Sequence, residues 1–303
     1  MNFRKFTKVI LRMSKNFNII ITAFVIWISL YTDPTAELFV SGIFVLSLGL
    51  MHGANDINLL QEMLRANHQK KWLLIGLYVS LGLIIFTAVY YLRILGLLVF
   101  MLFSSYHFGE QHLHRRLKDA PLKSLHFTLY GLVIFTLLFS THVEEVQYLI
   151  LHMTGFDISV INLDQWAIAM TGLLIVFWLF SLKFFKREIF EELFYILMFY
   201  VVFYNTELYL AFALYFVVWH ALPSIQDQIL IEGRKIGLKS AIQYVKQSAA
   251  YWLVSVIGIF ILAKGFDYLG TALLPVLFAA LVAITFPHIL LISRLISRLN
   301  KKS

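Results

Sequence analysis

The sequence predicts an all-α polytopic membrane protein, a helical bundle of about ten transmembrane helices with both chain ends in the cytoplasm. Three observations predict it. Of the 303 residues, 60% are hydrophobic and 14% are charged, whereas a soluble domain has about 45–50% apolar and about 25% charged residues. Apolar runs recur from Phe17 almost to the C-terminus, each roughly long enough to cross a hydrocarbon core of about 30 Å. The basic residues form short clusters between these runs.

The apolar runs define the elements in order. Each run is apolar on all sides, without the alternation of a barrel strand, so each predicts a helix that satisfies its own backbone within the membrane. The gaps between runs are short, which indicates a single integral membrane domain over residues 1–303. The predicted spans are 17–31, 37–62, 72–92, 94–114, 124–141, 165–183, 189–204, 207–230, 247–264 and 270–293.

The positive charges support this order of spans. Residues 1–16 then form a basic cytoplasmic N-terminal segment, and of the 25 Lys and Arg residues all except Arg93 and Lys264 face the cytoplasm. The net charge of +8 therefore points to the lipid bilayer and not to nucleic acid. The expected location is the inner (cytoplasmic) membrane of the cell.

One outer connection, residues 142–164, is long. It contains four acidic residues and neither Lys nor Arg, and it also has two apolar stretches. This composition predicts an extracytoplasmic segment that lies on the membrane surface.

Four histidines lie deep in the even-numbered spans, which all run from outside to inside. They are His52, His107, His220 and His288, about 20–27 Å from the outer ends of their helices. Polar residues at this depth are costly and usually face the bundle interior, and neutral imidazole suits Fe, Cu, Zn or Ni. The pattern predicts a shared metal site. The alternative is four separate polar residues, each bonded to a neighbour.

Residues beside these histidines extend the predicted site. Asp56 and Glu110 share a helix face with the histidine before them, where a carboxylate can accept the second N–H of a metal-bound imidazole. The alternative is that each pairs with Arg65 or Arg115. Small residues, Gly53 and Gly109, leave room for a ligand or a packed helix. The remaining six histidines are interpreted as solvated or interfacial: His68, His112, His114, His126, His142 and His152.

Four segments together resemble the Brp/Blh family of membrane-embedded β-carotene 15,15′-dioxygenases. The resemblance covers about residues 36 to 295, and it implies a mononuclear non-haem Fe(II) centre and cleavage of the central double bond of β-carotene by O₂ to give two retinal molecules. It also makes a downstream rhodopsin an expected partner. The segments are Met51-His52-Gly53-Ala54-Asn55-Asp56, Tyr106-His107-Phe108-Gly109-Glu110, Trp219-His220 and Phe286-Pro287-His288.

The resemblance implies a role for particular residues. His52, His107 and His220 match ligand positions of the family. Apart from the resemblance, Tyr106 and Trp219 directly precede two of these histidines and are expected beside the site, with chance placement as the alternative because 16% of the residues are aromatic. The family pattern has a further histidine four residues after the third ligand, where this chain has Ser224.

His288 is the expected fourth ligand. A three-histidine iron site or an altered activity are the alternatives. Two other functions stay open: a transporter or ion relay that uses the intramembrane histidines, and a carotenoid-binding homologue without catalysis.

Overall fold

The computed structural model describes residues 3–64, 68–117, 120–185, 188–268 and 273–302. These residues are almost entirely helical, and no strand occurs among them. The helices are α1 (Phe3–Ser29), α2 (Pro34–Phe44), π1 (Val45–Gly49), α3 (Leu50–Ala54), α4 (Asp56–Met63), α5 (His68–Tyr91), α6 (Arg93–Leu113), α7 (Lys123–Ser140), α8 (Val143–Thr154), α9 (Leu163–Phe180), α10 (Leu182–Phe185), α11 (Glu188–Asn205), α12 (Leu208–Leu214), π2 (Tyr215–Ala221), α13 (Leu222–Ile231), α14 (Leu238–Tyr268) and α15 (Leu273–Lys302).

The fold class is confirmed as an all-α polytopic bundle. In the part of the chain that the structure describes, seven helical segments are long and apolar enough to cross a membrane. The predicted spans 17–31, 94–114 and 189–204 also coincide with helices, namely the second half of α1, α6 and α11. These three are shorter or less apolar, so the count of ten spans and their orientation remain predictions.

The bundle has a dense centre and exposed outer helices. Most residues are buried in the most apolar 18-residue stretch of three spans. The buried share is 61% in Lys123–Ser140, 72% in Leu208–Ile231 and 61% in Leu273–Ser297. The spans Lys70–Tyr91 and Leu238–Gly265 have only 11% and 6% buried. Because their exposed side chains are apolar, these outer helices present a surface that suits lipid tails.

Two glycines bring α6 and α7 into backbone contact. A Cβ atom on Gly109 would lie 1.9 Å from the carbonyl oxygen of Phe127, and one on Gly131 would lie 2.0 Å from that of Ser105. Small residues permit this kind of approach between membrane helices. Of the two roles that the sequence left open for Gly109, room for a ligand or for a packed helix, the structure shows helix packing.

Two π-helical segments interrupt the membrane helices beside the predicted site. π1 lies directly before α3, which carries His52, and π2 carries His220. The two segments pack closely against each other at Gly49 of π1 and Phe216 of π2. A Cβ atom added to Gly49 would lie only 2.8 Å from the Phe216 ring. Single-turn π segments are frequent at functional sites, and the sequence pattern did not predict them.

The segment 142–164 is helical over Val143–Thr154, and it ends at Gly155, whose φ is 77°. Val146 and Ile150 are buried, whereas Tyr148 and Leu151 are exposed. One face of α8 therefore packs on the bundle, next to α6 and α15, and the other is free to contact a membrane surface. Its extracytoplasmic placement remains a prediction.

Candidate metal centre

The four deep histidines meet in the centre of the bundle. Their rings form a closed cycle, in which the centroid distances are 5.2 Å from His52 to His220, 4.7 Å from His220 to His107, 5.3 Å from His107 to His288 and 4.7 Å from His288 to His52. All four side chains are buried. The structure thus brings together residues from α3, α6, π2 and α15, as their similar depth in the predicted spans indicated.

The ring spacing is that of imidazoles around one metal ion. A metal about 2.1 Å from an imidazole nitrogen lies about 3.2 Å from the ring centroid. Neighbouring ligands at 90–110° would then have centroids about 4.5–5.3 Å apart. The observed distances of 4.7–5.3 Å lie within this range.

The hydrogen bonds leave several ring nitrogens of the four histidines without a partner among the described residues. Nδ1–H of His52 donates to the carbonyl oxygen of Gly49, and Nδ1–H of His288 donates to Asp56. Each of these tautomers has its lone pair on Nε2, the form in which imidazole binds metals. Within the described residues, Nε2 of His288, Nδ1 of His220 and both ring nitrogens of His107 are buried without a hydrogen-bond partner.

The nitrogens do not yet converge on a point. Among the described residues, no three His, Asp or Glu side chains have their donor atoms arranged as a metal site. The χ2 torsion of histidine is broad, so the orientation of each ring can differ when an ion is bound. The donor set, its burial and its unpaired nitrogens therefore fit a metal ion.

Asp56 binds a different histidine from the one predicted. Its Oδ1 and Oδ2 lie 2.9 and 3.1 Å from Nδ1 of His288, and the assignment to His52 is wrong. The cause is a break in the helix: α3 ends at Ala54, and α4 begins at Asp56 after Asn55, whose ψ is −2°. The regular spacing that would align positions 52 and 56 on one face is lost there.

Glu110 also has partners other than the predicted histidine. Its Oε1 accepts hydrogen bonds from the Tyr106 hydroxyl at 2.9 Å and from Ser293 at 3.1 Å. Glu110 and Tyr106, both on α6, are thus linked to Ser293 on α15. Neither of these hydrogen bonds is the predicted one from a ring nitrogen of His107 to Glu110. The alternative pairing with Arg115 is also not formed by these contacts, since Arg115 pairs with Asp227.

Trp219 and Ser224 lie on either side of His220 along the chain. Trp219 packs 5.1 Å from the rings of both Tyr195 and Phe199 and donates to Thr22 at 2.9 Å. Its contacts therefore hold α1 and α11 on π2. Ser224 is buried, and it lies 3.5 Å from the amide of Gln228.

An aromatic wall covers one side of the histidine cycle. The Phe216 ring stacks on His220 with centroids 5.7 Å apart and meets His52 edge-on at 5.4 Å. Phe212 stacks on Phe216 at 5.4 Å, and Phe108 lies 4.7 Å from His220. Sequence reasoning missed Phe212 and Phe216. The signal was the spacing of four residues from Phe212 to Phe216 and again from Phe216 to His220, which places the three side chains near one face.

The interpretation of the other histidines was partly wrong. His114, His126 and His142 are buried inside the protein, and His112 is partly buried, with Nε2 2.8 Å from Glu192. Nε2 of His142 bonds the carbonyl oxygen of Thr206 at 2.8 Å. Helix packing at the span ends encloses these rings. His152 is exposed as predicted; the side chain of His68 lies outside the described residues.

The fold and the site define a class: a helical membrane protein with a buried four-histidine centre beside an aromatic wall. The family model described as beta-carotene 15,15′-dioxygenase matches residues 43–296. This match covers most of the chain, so the protein belongs to that family, which confirms the resemblance. Comparison with curated proteins gives no match, and comparison with solved structures gives none.

Proposed function

We propose that this protein is a non-haem iron dioxygenase of the inner membrane that cleaves the central double bond of β-carotene to give two molecules of retinal. Membership of the family supports a carotene dioxygenase activity. The observation that carries the finer proposal is the closed cycle of four buried imidazoles, with neighbouring centroids 4.7–5.3 Å apart.

His52, His107, His220 and His288 would hold a single Fe(II). When bound, iron supplies the one-electron chemistry that lets O₂ react with an alkene. The reaction needs no other oxidant or reductant, because both oxygen atoms of O₂ enter the two aldehydes and the electrons come from the cleaved double bond. His288 takes the place of the family histidine that is replaced by Ser224.

The protein's own side chains provide the surroundings for an apolar substrate. Phe216, Phe212 and Phe108 offer ring faces and edges that pack against a conjugated polyene. The burial of the histidines keeps bulk water away from the reacting double bond. The tautomers of His52 and His288 are fixed by Gly49 and Asp56, so these two rings are oriented before substrate arrives.

The substrate would enter sideways from the bilayer. Carotenoids dissolve in lipid tails, and the loosely packed, apolar faces of α5 and α14 border the half of the bundle that carries His52 and His288. Retinal formed at this depth would leave through the same medium. A rhodopsin in the same membrane is the proposed acceptor.

Expression in a bacterium that makes β-carotene tests the proposal. We expect pigment extracts to lose β-carotene and to gain retinal, and we expect His220→Ala to abolish both changes. His152→Ala, which alters an exposed histidine, serves as the matched control and should retain activity. Well-expressed, iron-loaded protein that yields no retinal would contradict the proposal. Intact carotenoid that co-purifies would favour the carotenoid-binding alternative.

A further inference from the structure

A tyrosine outside every motif of the sequence analysis contacts the site through Asp56. The hydroxyl of Tyr78, on α5, donates a hydrogen bond of 2.7 Å to Oδ2 of Asp56. The same carboxylate accepts from Nδ1–H of His288 at 2.9 Å through Oδ1 and 3.1 Å through Oδ2. These bonds form a chain from Tyr78 through Asp56 to His288.

Three helices meet in this series of hydrogen bonds. Asp56 is the first residue of α4, Tyr78 lies in the middle of α5, and His288 lies in α15. Asp56 and His288 are buried, whereas Tyr78 is partly buried. Because α5 packs along α15, a change at Tyr78 can reach the histidine ring without altering any residue of the cycle.

The hydrogen bond from Tyr78 fixes the orientation of the Asp56 carboxylate. One oxygen is held by α5, so the plane of the carboxylate is set and both oxygens face the imidazole N–H. Without the hydroxyl, the carboxylate can turn about its terminal torsion, which is broad for aspartate. The His288 ring would then lose the hydrogen bond that fixes its orientation and its tautomer.

We propose that Tyr78 is a positioning residue for His288, acting through Asp56, and that it thereby strengthens divalent-metal binding by the four-histidine centre. The inference rests on the proposed function, since it requires that the histidines bind a metal. Partners that orient a metal-bound histidine typically alter metal affinity by about 10–100-fold. Tyr78 is one bond further away, so the lower end of that range is expected.

The test is a Co(II) titration of the full-length protein in detergent, followed by the visible absorption of the bound ion. We expect Tyr78→Phe to raise the dissociation constant about 10-fold and to change the Co(II) spectrum, since a mispositioned His288 alters the coordination. Tyr91→Phe is the control, because Tyr91 is 77% exposed at the end of the same helix, about 20 Å further along it.

A double variant separates positioning from a general effect on the fold. In Asp56→Ala both carboxylate oxygens are removed and the route from α5 to His288 is broken, so adding Tyr78→Phe should change the dissociation constant no further. Full additivity, or a Tyr78→Phe protein with the affinity and spectrum of the wild type, would overturn the inference while the metal site stands. A wild-type protein that binds neither Co(II) nor Fe(II) would refute the proposed function itself.

Discussion

The side-chain amide of Gln228 donates a hydrogen bond of 2.8 Å to the backbone carbonyl of His52. The Oε1 atom of the same amide accepts from the hydroxyl of Tyr244 at 2.9 Å. Gln228 is buried, and its bonds join α3, α13 and α14 at the backbone of His52. Gln228 therefore helps to position the backbone of His52, although these hydrogen bonds involve none of the imidazole rings.

Replacing Gln228 with Met should destabilise the protein. The substitution preserves length but removes both hydrogen bonds of the amide, each of which contributes about 0.5–1.5 kcal/mol. The Tyr244 hydroxyl still lies 3.2 Å from the His52 carbonyl oxygen, so neither group is left without a partner. Thermal unfolding in detergent should show a lower midpoint than that of the wild type. Gln165→Met, at an exposed position of α9, is the control and should unfold like the wild type. Equal midpoints for the two variants would show that the Gln228 bonds carry little stability.

Gly109→Ala should prevent correct packing of α6 against α7. The added methyl group would lie 1.9 Å from a backbone oxygen of Phe127, and backbone cannot move aside as a flexible side chain does. We expect little monodisperse protein in size-exclusion chromatography. Gly76→Ala is the matched control, because a methyl group there meets open space. A well-behaved Gly109→Ala protein would mean that the two helices can separate at small cost.

Phe216→Ala should impair the use of substrate more than the binding of iron. The ring stacks on His220 and Phe212, and aromatic contacts of this kind contribute about 0.5–1.5 kcal/mol each. We expect retinal formation to fall about 10-fold while iron content stays near that of the wild type. Phe180→Ala, at a position 83% exposed, provides the comparison. Loss of iron from Phe216→Ala would instead assign the ring to holding the histidines.

The orientation of the helices can be measured with reporter fusions at Lys118 and Asp157. The positive-inside distribution places the first position in the cytoplasm and the second outside. The two fusions should therefore report opposite sides of the membrane. If they report the same side, the order of ten alternating spans is wrong.

The sequence was informative where the membrane itself restricts the structure. Long apolar runs had to be helices because lipid offers the backbone no hydrogen bonds, and the helices lie where the runs predicted. The sequence could identify His52, His107, His220 and His288 because a polar side chain inside the membrane is energetically costly, and several at a similar depth can face one shared site. Neither inference needed knowledge of which helices are neighbours.

The partners of these histidines required the tertiary structure. Asp56 was expected behind His52 on a continuous helix, but the break at Asn55 turns it toward His288. The approach of α5, which supplies Tyr78, has no signal in helical periodicity. The π segments were equally hidden, since one extra residue in a turn does not alter an apolar pattern that surrounds the whole helix.

The central claim is that four histidines hold one iron, with His288 in place of the histidine that Ser224 replaces. The most direct test is the iron content of purified protein for the wild type and for His52→Ala, His107→Ala, His220→Ala and His288→Ala, with His152→Ala as the control. The account predicts a single iron per chain in the wild type and in His152→Ala, and a large loss in each of the other four variants. A His288→Ala protein that keeps its full iron content would contradict it.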